Sequence, residues 1–379
     1  MTGFAGFGRT DTSILGNWWW TVDRWTLGAV AVLVGAGVLL SLAASPPVAE
    51  DLGLGRYHFV RRHLMYLPMV AVAMVALSTL TPTWVRRAGT IGFLVALALT
   101  AATLVVGYQV KGASRWIPLG GFTLQPAEIL KPTFAVAVAW LLTAWRDGRL
   151  PHGGWITTGL MALCAALLLS QPDVGQTGLM GVIWFSEFFL AGLSVHGVLA
   201  IVLAGLGGLG LLYYSMPHVH ERIATFIDPA NGLPYQVQTA VRAFGDGGLF
   251  GVGPGEGRVK EVLPDAHTDF IFAVAGEEFG LVACLLLVGV YAFIVVRGFQ
   301  RLQREHDLFI LLAAGGLLVQ FGVQAAINMA STVALMPPKG MTLPFVSYGG
   351  SSMLGMAVTM GFLLALTRRR SGEQPGRMP

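Results

Sequence analysis

Residues 263–296 read LPDAHTDFIFAVAGEEFGLVACLLLVGVYAFIVV. The stretch opens on a polar turn with Pro264, Asp265, His267, Thr268 and Asp269. From Phe270 to Val296 it is apolar, and longer than the ~20 residues that carry a helix across a bilayer. Only Glu277 and Glu278 interrupt it. Buried carboxylates are untenable in such a run unless paired or protonated, so they ask for partners.

The rest of the chain agrees with a membrane reading. Of 379 residues, 54% are hydrophobic and 12% charged. Mean hydropathy is +0.67, outside the range of soluble domains. Ten apolar segments stand out, at about 25–45, 64–81, 88–108, 128–145, 155–170, 176–192, 197–215, 270–296, 308–329 and 350–367. The expected fold is all-α: about ten transmembrane helices with both termini cytoplasmic. Residues 1–24 form a cytoplasmic segment, 25–367 one membrane domain, and 368–379 a cytoplasmic tail. Trp18, Trp19 and Trp20 suit an interfacial anchor before the first span, and no signal peptide is evident. Cys164 and Cys284 both lie in apolar runs and read as small buried hydrophobes.

Arginines at helix ends set the orientation. Arg86, Arg87, Arg146, Arg149, Arg297, Arg301, Arg304, Arg368, Arg369 and Arg370 mark one side as cytoplasmic. The opposite side nonetheless carries Arg56, Arg61, Arg62, Lys111, Arg115, Lys131, Arg222, Arg242, Arg258, Lys260 and Lys339. An inverted topology, or a charge bias that is simply weak, is one explanation. The other is that this face binds an anion, with phosphate or pyrophosphate the natural choice.

One long loop, 216–269, separates the seventh and eighth spans. It has apolar residues to bury and an amphipathic segment at 234–244, so it is expected to be ordered at the membrane surface. Within it, GVGPGEG (251–257) lacks the strand and helix context of a nucleotide loop. Its glycines suit close backbone approach instead. His218 and His220 have no third partner that would make a metal site.

Three further blocks carry chemistry. In KGASRWIPLGGFTLQPAEILK (111–131), Gln125-Pro126 opens a helix. Glu128 and Lys131 follow on one face as they enter a span. SQPDVGQTG (170–178) breaks the chain between two spans at Pro172, Asp173 and Gly175. MPPKGMTLPFVSYGGSS (336–352) cannot be helical before about residue 350. Irregular backbone at membrane depth is tolerated where it lines a cavity or is buried in protein. Lys339, Thr342, Ser347, Tyr348, Ser351 and Ser352 would furnish such a cavity with donors. Asp269 sits where the loop meets the eighth span. There a helix dipole favours the anion while Phe270 and Phe272 favour the neutral acid. Glu277 lies about 80° round that helix and about 12 Å deeper, with Glu278 on the far side. The two glutamates are therefore expected to meet polar partners on other helices.

Together these blocks resemble the SEDS family, the polytopic glycosyltransferases that polymerise peptidoglycan. The resemblance spans nearly the whole chain. It rests on GASRWI, QPAEILK, QPDVGQTG, FIDPANGLPYQVQTAVRAFGDGGLFGVGPGEG, LPDAHTDFIFAVAGEEFG and PPKGMTLPFVSYGGSS, in the family's order. GVGPGEG and KGMTLPFVSYGGSS are closer to its cell-division branch than to its elongation branch. Gln176 and Thr177 stand where Thr and Ala are common.

The resemblance implies that lipid II is polymerised at the outer face of the cytoplasmic membrane, with inversion, and that undecaprenyl pyrophosphate is released. Asp269 matches the family's essential acid, and Glu128 and Lys131 its essential pair. Arg115, Gln125, Lys339, Thr342, Ser347, Tyr348, Ser351 and Ser352 become candidate substrate contacts, with Asp173, His267, Thr268, Glu277 and Glu278 in support. The implied partners are lipid II, the growing glycan strand, other division proteins and a class B penicillin-binding protein of the FtsI type, and not nucleic acid. A divalent cation, Mg or Mn, would suit the pyrophosphate, although no ligand set is visible. A lipid II flippase and a non-catalytic division scaffold are the competing readings. The first needs alternating access, yet no inverted repeat is visible. The second leaves the acids unexplained.

Overall fold

The computed structural model describes residues 13–110, 113–120, 122–227 and 233–369. Lys111 and the far ends of both terminal segments lie outside them. The chain is a bundle of long apolar helices. In order these are α1 (Ile14–Thr21), α2 (Arg24–Asp51), α3 (His58–Ser78), α4 (Pro82–Val106), α5 (Pro126–Arg146), α6 (Gly153–Ser170), α7 (Val174–Leu190) and α8 (Val195–Ser215). The long loop then holds α9 (Pro217–Ile227), α10 (Tyr235–Gly247) and α11 (Val259–Val262), before α12 (Ile271–Leu302), α13 (Leu308–Thr332) and α14 (Gly350–Leu366). Each of the ten predicted apolar segments coincides with one helix. Eight are long and apolar enough to cross a membrane, and α14 is a shorter apolar helix. The protein is thus a helical, multi-pass membrane protein.

Burial sorts the helices. In α5, 83% of the most apolar window is buried, and in α13 72%, whereas α8 buries none. The first two, with α14, form the centre of the bundle. By contrast α2, α3, α4 and α8 turn large apolar side chains outward, including Leu39, Val72, Ile91, Val95 and Leu206. In water such a surface would be a liability, but against lipid tails it is matched.

The helical fold carries one small sheet, at residues 108–124. Here β1 (Tyr108–Val110), β2 (Ala113–Leu119) and β3 (Phe122–Leu124) form an antiparallel meander. Pairing runs Ile117 to Leu124 and Leu119 to Phe122 across the turn at Gly120. The Ser351 hydroxyl at the start of α14 donates to Thr123 O at 2.9 Å and accepts from Gln125 N at 2.9 Å. That pins the meander over the bundle.

The eighth span also departs from a continuous helix. At Gly280, φ is 76° and ψ −177°, so α12 is two helices joined by one glycine at positive φ. The backbone groups freed by the break pair with residues 248–253. Leu281 N donates to Gly248 O at 3.0 Å and Val282 N to Leu249 O at 3.2 Å. In return Val252 N donates to Glu277 O at 2.9 Å and Gly253 N to Glu278 O at 3.1 Å. The glycine-rich segment is therefore a plug that satisfies a broken span, as apolar surroundings demand. A Cβ on Gly251 would drive into the Glu278 carbonyl, which explains why glycine stands there.

The ends of the bundle differ in character. At one, Asp23 caps α2 and takes a bidentate bond from Arg297, at 2.7 and 2.8 Å, with Arg301 at 3.0 Å. Burial opposes ionisation of Asp23, but the two guanidiniums outweigh it and hold its carboxyl below the usual range. The loops at the other end carry Asp173, Asp265, Asp269 and the irregular 336–349 segment.

Candidate functional site

The segment before α12 is a tight turn. Asp265 has φ 56°, and its carbonyl accepts the N–H groups of Thr268 at 3.0 Å and Phe270 at 3.3 Å. The carbonyls of residues 267–269 are each caught by a different group. His267 O accepts from Tyr348 N at 2.9 Å, Thr268 O from the Ser347 hydroxyl at 2.5 Å, and Asp269 O from Asn328 Nδ2 at 2.8 Å. Helix α12 starts at Ile271, two residues beyond Asp269. The acid therefore belongs to the turn. Its backbone is fixed while its side chain stays partly exposed.

That side chain faces the 336–349 loop. A Cβ on Gly340, where φ is 66°, would stand 3.7 Å from Asp269 Oδ2. Lys339, next door, packs on the start of α7: a Cβ on Gly175 would lie 3.2 Å from Lys339 O and 3.3 Å from its Cβ. Asp269, Lys339 and the N-terminus of α7 thus border one region.

Beneath them is a fully buried polar layer. Lys131 Nζ donates to Glu128 Oε2 at 3.0 Å and Gln324 Oε1 at 2.9 Å. Gln176 Nε2 donates to Glu128 Oε1 at 2.7 Å, and Gln324 Nε2 to Thr342 O at 3.1 Å. Glu128 sits in the first turn of α5, where the helix dipole favours its charge. Thr342 and Ser352 share a short hydroxyl–hydroxyl bond.

Two candidate site residues are engaged within the protein. Lys131 is 0% exposed and bonded only within the protein, so in this conformation it is a floor and not a surface clamp. Ser347, at 2% exposure, spends its hydroxyl on Leu343 N and Thr268 O and holds the Asp269 turn. Cross-helix partners of this kind are invisible in a sequence. Arg115 is intermediate. It donates to Gln171 O at 2.9 Å and Pro172 O at 2.7 Å and pairs with Asp173 at 3.4 Å, yet retains exposed surface. Asp173 also caps α7 through Gln176 N. Burial pushes its carboxyl above the usual value, against the pull of Arg115.

Tyr348, Phe59 and His267 form an aromatic cluster with centroids 4.7 to 5.4 Å apart. Burial lowers the His267 imidazole to about 4, with the nearby Asp265 charge opposing.

The two deep glutamates find their partners on α11, a short helix of the loop. Glu277 accepts from Val259 N at 2.7 Å and Lys260 N at 3.0 Å, while Glu278 takes the Lys260 ammonium. Glycine at 247, 251 and 257 lets the loop sink this close. Lys260 is therefore withdrawn from the basic outer face.

Among the described residues, no group of three or more His, Cys, Asp or Glu could hold a metal ion.

Comparison with known proteins places this architecture. The profile of the cell cycle protein family that spans FtsW, RodA and SpoVE matches residues 24–372. The chain belongs to that family. The FtsW/RodA/SpoVE relatives include a protein of Caulobacter vibrioides named "Probable peptidoglycan glycosyltransferase FtsW". It is 45% identical over 97% of this chain and 94% of its own length. A protein of the same name in Aliivibrio salmonicida is 34% identical, covering 91% and 88%. Among solved structures, Thermus thermophilus RodA superposes with a TM-score of 0.67 at 27% identity, covering 92% of this chain and 97% of that one. A chain from work titled "Structural coordination of polymerization and crosslinking by a peptidoglycan synthase complex" reaches 0.75 at 27% identity, covering 91% and 97%.

Sequence reasoning missed Asn328, Gln324, Gln176 and Lys260 as parts of the site. One signal was available: Gln320, Gln324 and Asn328 recur every four residues in an apolar helix and so share a face.

Proposed function

We propose that the protein is a peptidoglycan glycosyltransferase that polymerises lipid II at the outer face of the bacterial cytoplasmic membrane, in septal wall synthesis. The observation that carries this is Asp269: a partly exposed carboxylate on a clamped turn, beside the Lys339 loop, in a chain of the FtsW/RodA/SpoVE family. Both termini are then cytoplasmic, and the arginine-rich end of the bundle faces inward.

The acceptor's 4-hydroxyl must lose its proton as it attacks the donor's anomeric carbon. Asp269 takes that proton as general base. The bond to the pyrophosphate oxygen breaks, the configuration inverts, and undecaprenyl pyrophosphate leaves with growing negative charge. Lys339 and Arg115 border the region and supply the compensating cations. Lys131 acts from below, fixing Thr342 and its loop through Gln324. The lipid tails stay in the bilayer. A class B penicillin-binding protein is the partner that crosslinks the product, consistent with the relatives named above.

The test is polymerisation of lipid II by the purified protein, with and without its cognate transpeptidase, comparing wild type with Asp269→Asn. The variant should fold, bind its partner and make no glycan. An Asp269→Asn protein that still makes glycan removes the base from the mechanism.

A further inference from the structure

Three buried amides line one face of α13: Gln320, Gln324 and Asn328, with relative exposures of 0%, 1% and 0%. Gln320 bonds Thr359 on α14 and has a packing role. Asn328 is different. Its single Nδ2 donates to Asp269 O at 2.8 Å and to Met341 O at 2.6 Å. A side-chain amide has two N–H donors, and both are used. One short side chain on a deeply buried helix therefore joins the residue that carries the carboxylate to the loop that carries Lys339 and Gly340. Serine or threonine would offer one donor, aspartate none when ionised, and lysine a charge with no partner.

We propose that Asn328 is a positioning residue for glycosyl transfer. It sets the distance between Asp269, which takes the proton, and the Lys339 turn, which meets the leaving pyrophosphate. This rests on the reading of Asp269 as the base. Attack and departure are concerted, so both ends of the reacting centre must be in register at once, and small displacements are expensive. Binding of lipid II depends less on this register. Loss of Asn328 therefore falls on kcat while the KM for lipid II is kept.

The experiment uses the full chain with its cognate transpeptidase and measures lipid II polymerisation per folded molecule. Asn328→Ala is expected to lower kcat by roughly a hundredfold with KM unchanged. Asn328→Asp places a carboxylate against two carbonyls. Its rate relative to wild type should rise as pH falls, because the protonated acid regains one O–H donor. Wild-type kcat in folded Asn328→Ala overturns the inference, as does a loss confined to KM. Should Asn328→Ala fail to fold, Asn328→Gln decides. It keeps both donors but displaces them by one methylene, so an unchanged kcat overturns the inference and a fall in kcat at constant KM supports it. A wild-type chain that makes no glycan overturns the reading of the site and this inference with it. Wild-type polymerisation beside fully active Asn328 variants overturns this inference alone.

Discussion

Lys131 Nζ and Gln324 Oε1 meet at 2.9 Å between two central, largely buried helices, α5 and α13. The same ammonium neutralises Glu128, and the same amide reaches the Thr342 carbonyl. Charge balance and loop position are thus linked in one layer. Stranding one partner of a buried pair costs about 3–5 kcal/mol, whereas removing both can be nearly neutral. Lys131→Met is expected to lower the thermal unfolding temperature in detergent markedly. Glu128→Gln with Lys131→Met should recover most of that loss without restoring polymerisation. Parallel unfolding and glycan assays on the three proteins check this, and a double variant as unstable as the single one would refute it.

His267 supplies a pH dependence. Folded, its imidazole titrates at about 4; unfolded, at the ordinary 6.5. Between those values the unfolded chain binds a proton that the folded chain refuses, so stability is lost as pH falls from 6.5 towards 4. At about 1.4 kcal/mol per unit, the full effect is about 3 kcal/mol. His267 lies on the Asp269 turn, which should therefore loosen first. His267→Gln is expected to flatten the acid limb of an unfolding-temperature curve, and equal slopes for the two proteins would exclude His267 as its source.

Much of this was open to inspection in the chain, and the failures have physical causes. Apolar length alone located ten helices, because lipid leaves a spanning segment few alternatives. The acid at the loop–span junction was visible too. The meander at 108–124 had its own signal, Gly120-Gly121 between apolar runs, but hydropathy drew attention away from it. The break in α12 had none. Gly289 lies in the same run with open space around it and stays helical. Gly280 breaks because residues 248–253 are there to pair with it, and that partnership is tertiary. The bonds of Ser347 to Thr268 and of Lys131 to Gln324 are equally tertiary, spanning 79 and 193 residues.

The plug at Gly280 is itself testable. Gly251 has φ 81°, and a Cβ there would collide with the Glu278 backbone. Gly251→Ala should expel residues 248–257, leaving the Leu281 and Val282 N–H groups without partners. Faster proteolysis within 248–262 and a lower unfolding temperature are expected, with Gly289→Ala as the silent control. Equal cleavage rates in the two variants would show that the loop does not hold the span.

Glu187 offers the opposite case. It is 0% exposed on α7, and among the described residues neither carboxyl oxygen has a hydrogen-bond partner. Its room comes from α13, where a Cβ on Gly316 would strike the carboxyl group. A buried polar group that makes no bond contributes only its desolvation cost, so replacing it with an apolar side chain of similar size removes a penalty. Glu187→Met is expected to leave polymerisation unchanged and to hold or raise the unfolding temperature. Gly316→Ala crowds the same spot from the other side and should lower it. Combining Gly316→Ala with Glu187→Ala should relieve the clash, so the pair would be more stable than Gly316→Ala alone. If Glu187→Met instead destabilises the protein as strongly as Lys131→Met, the carboxyl has a partner in the membrane-embedded protein, and α7 and α13 are held together by it.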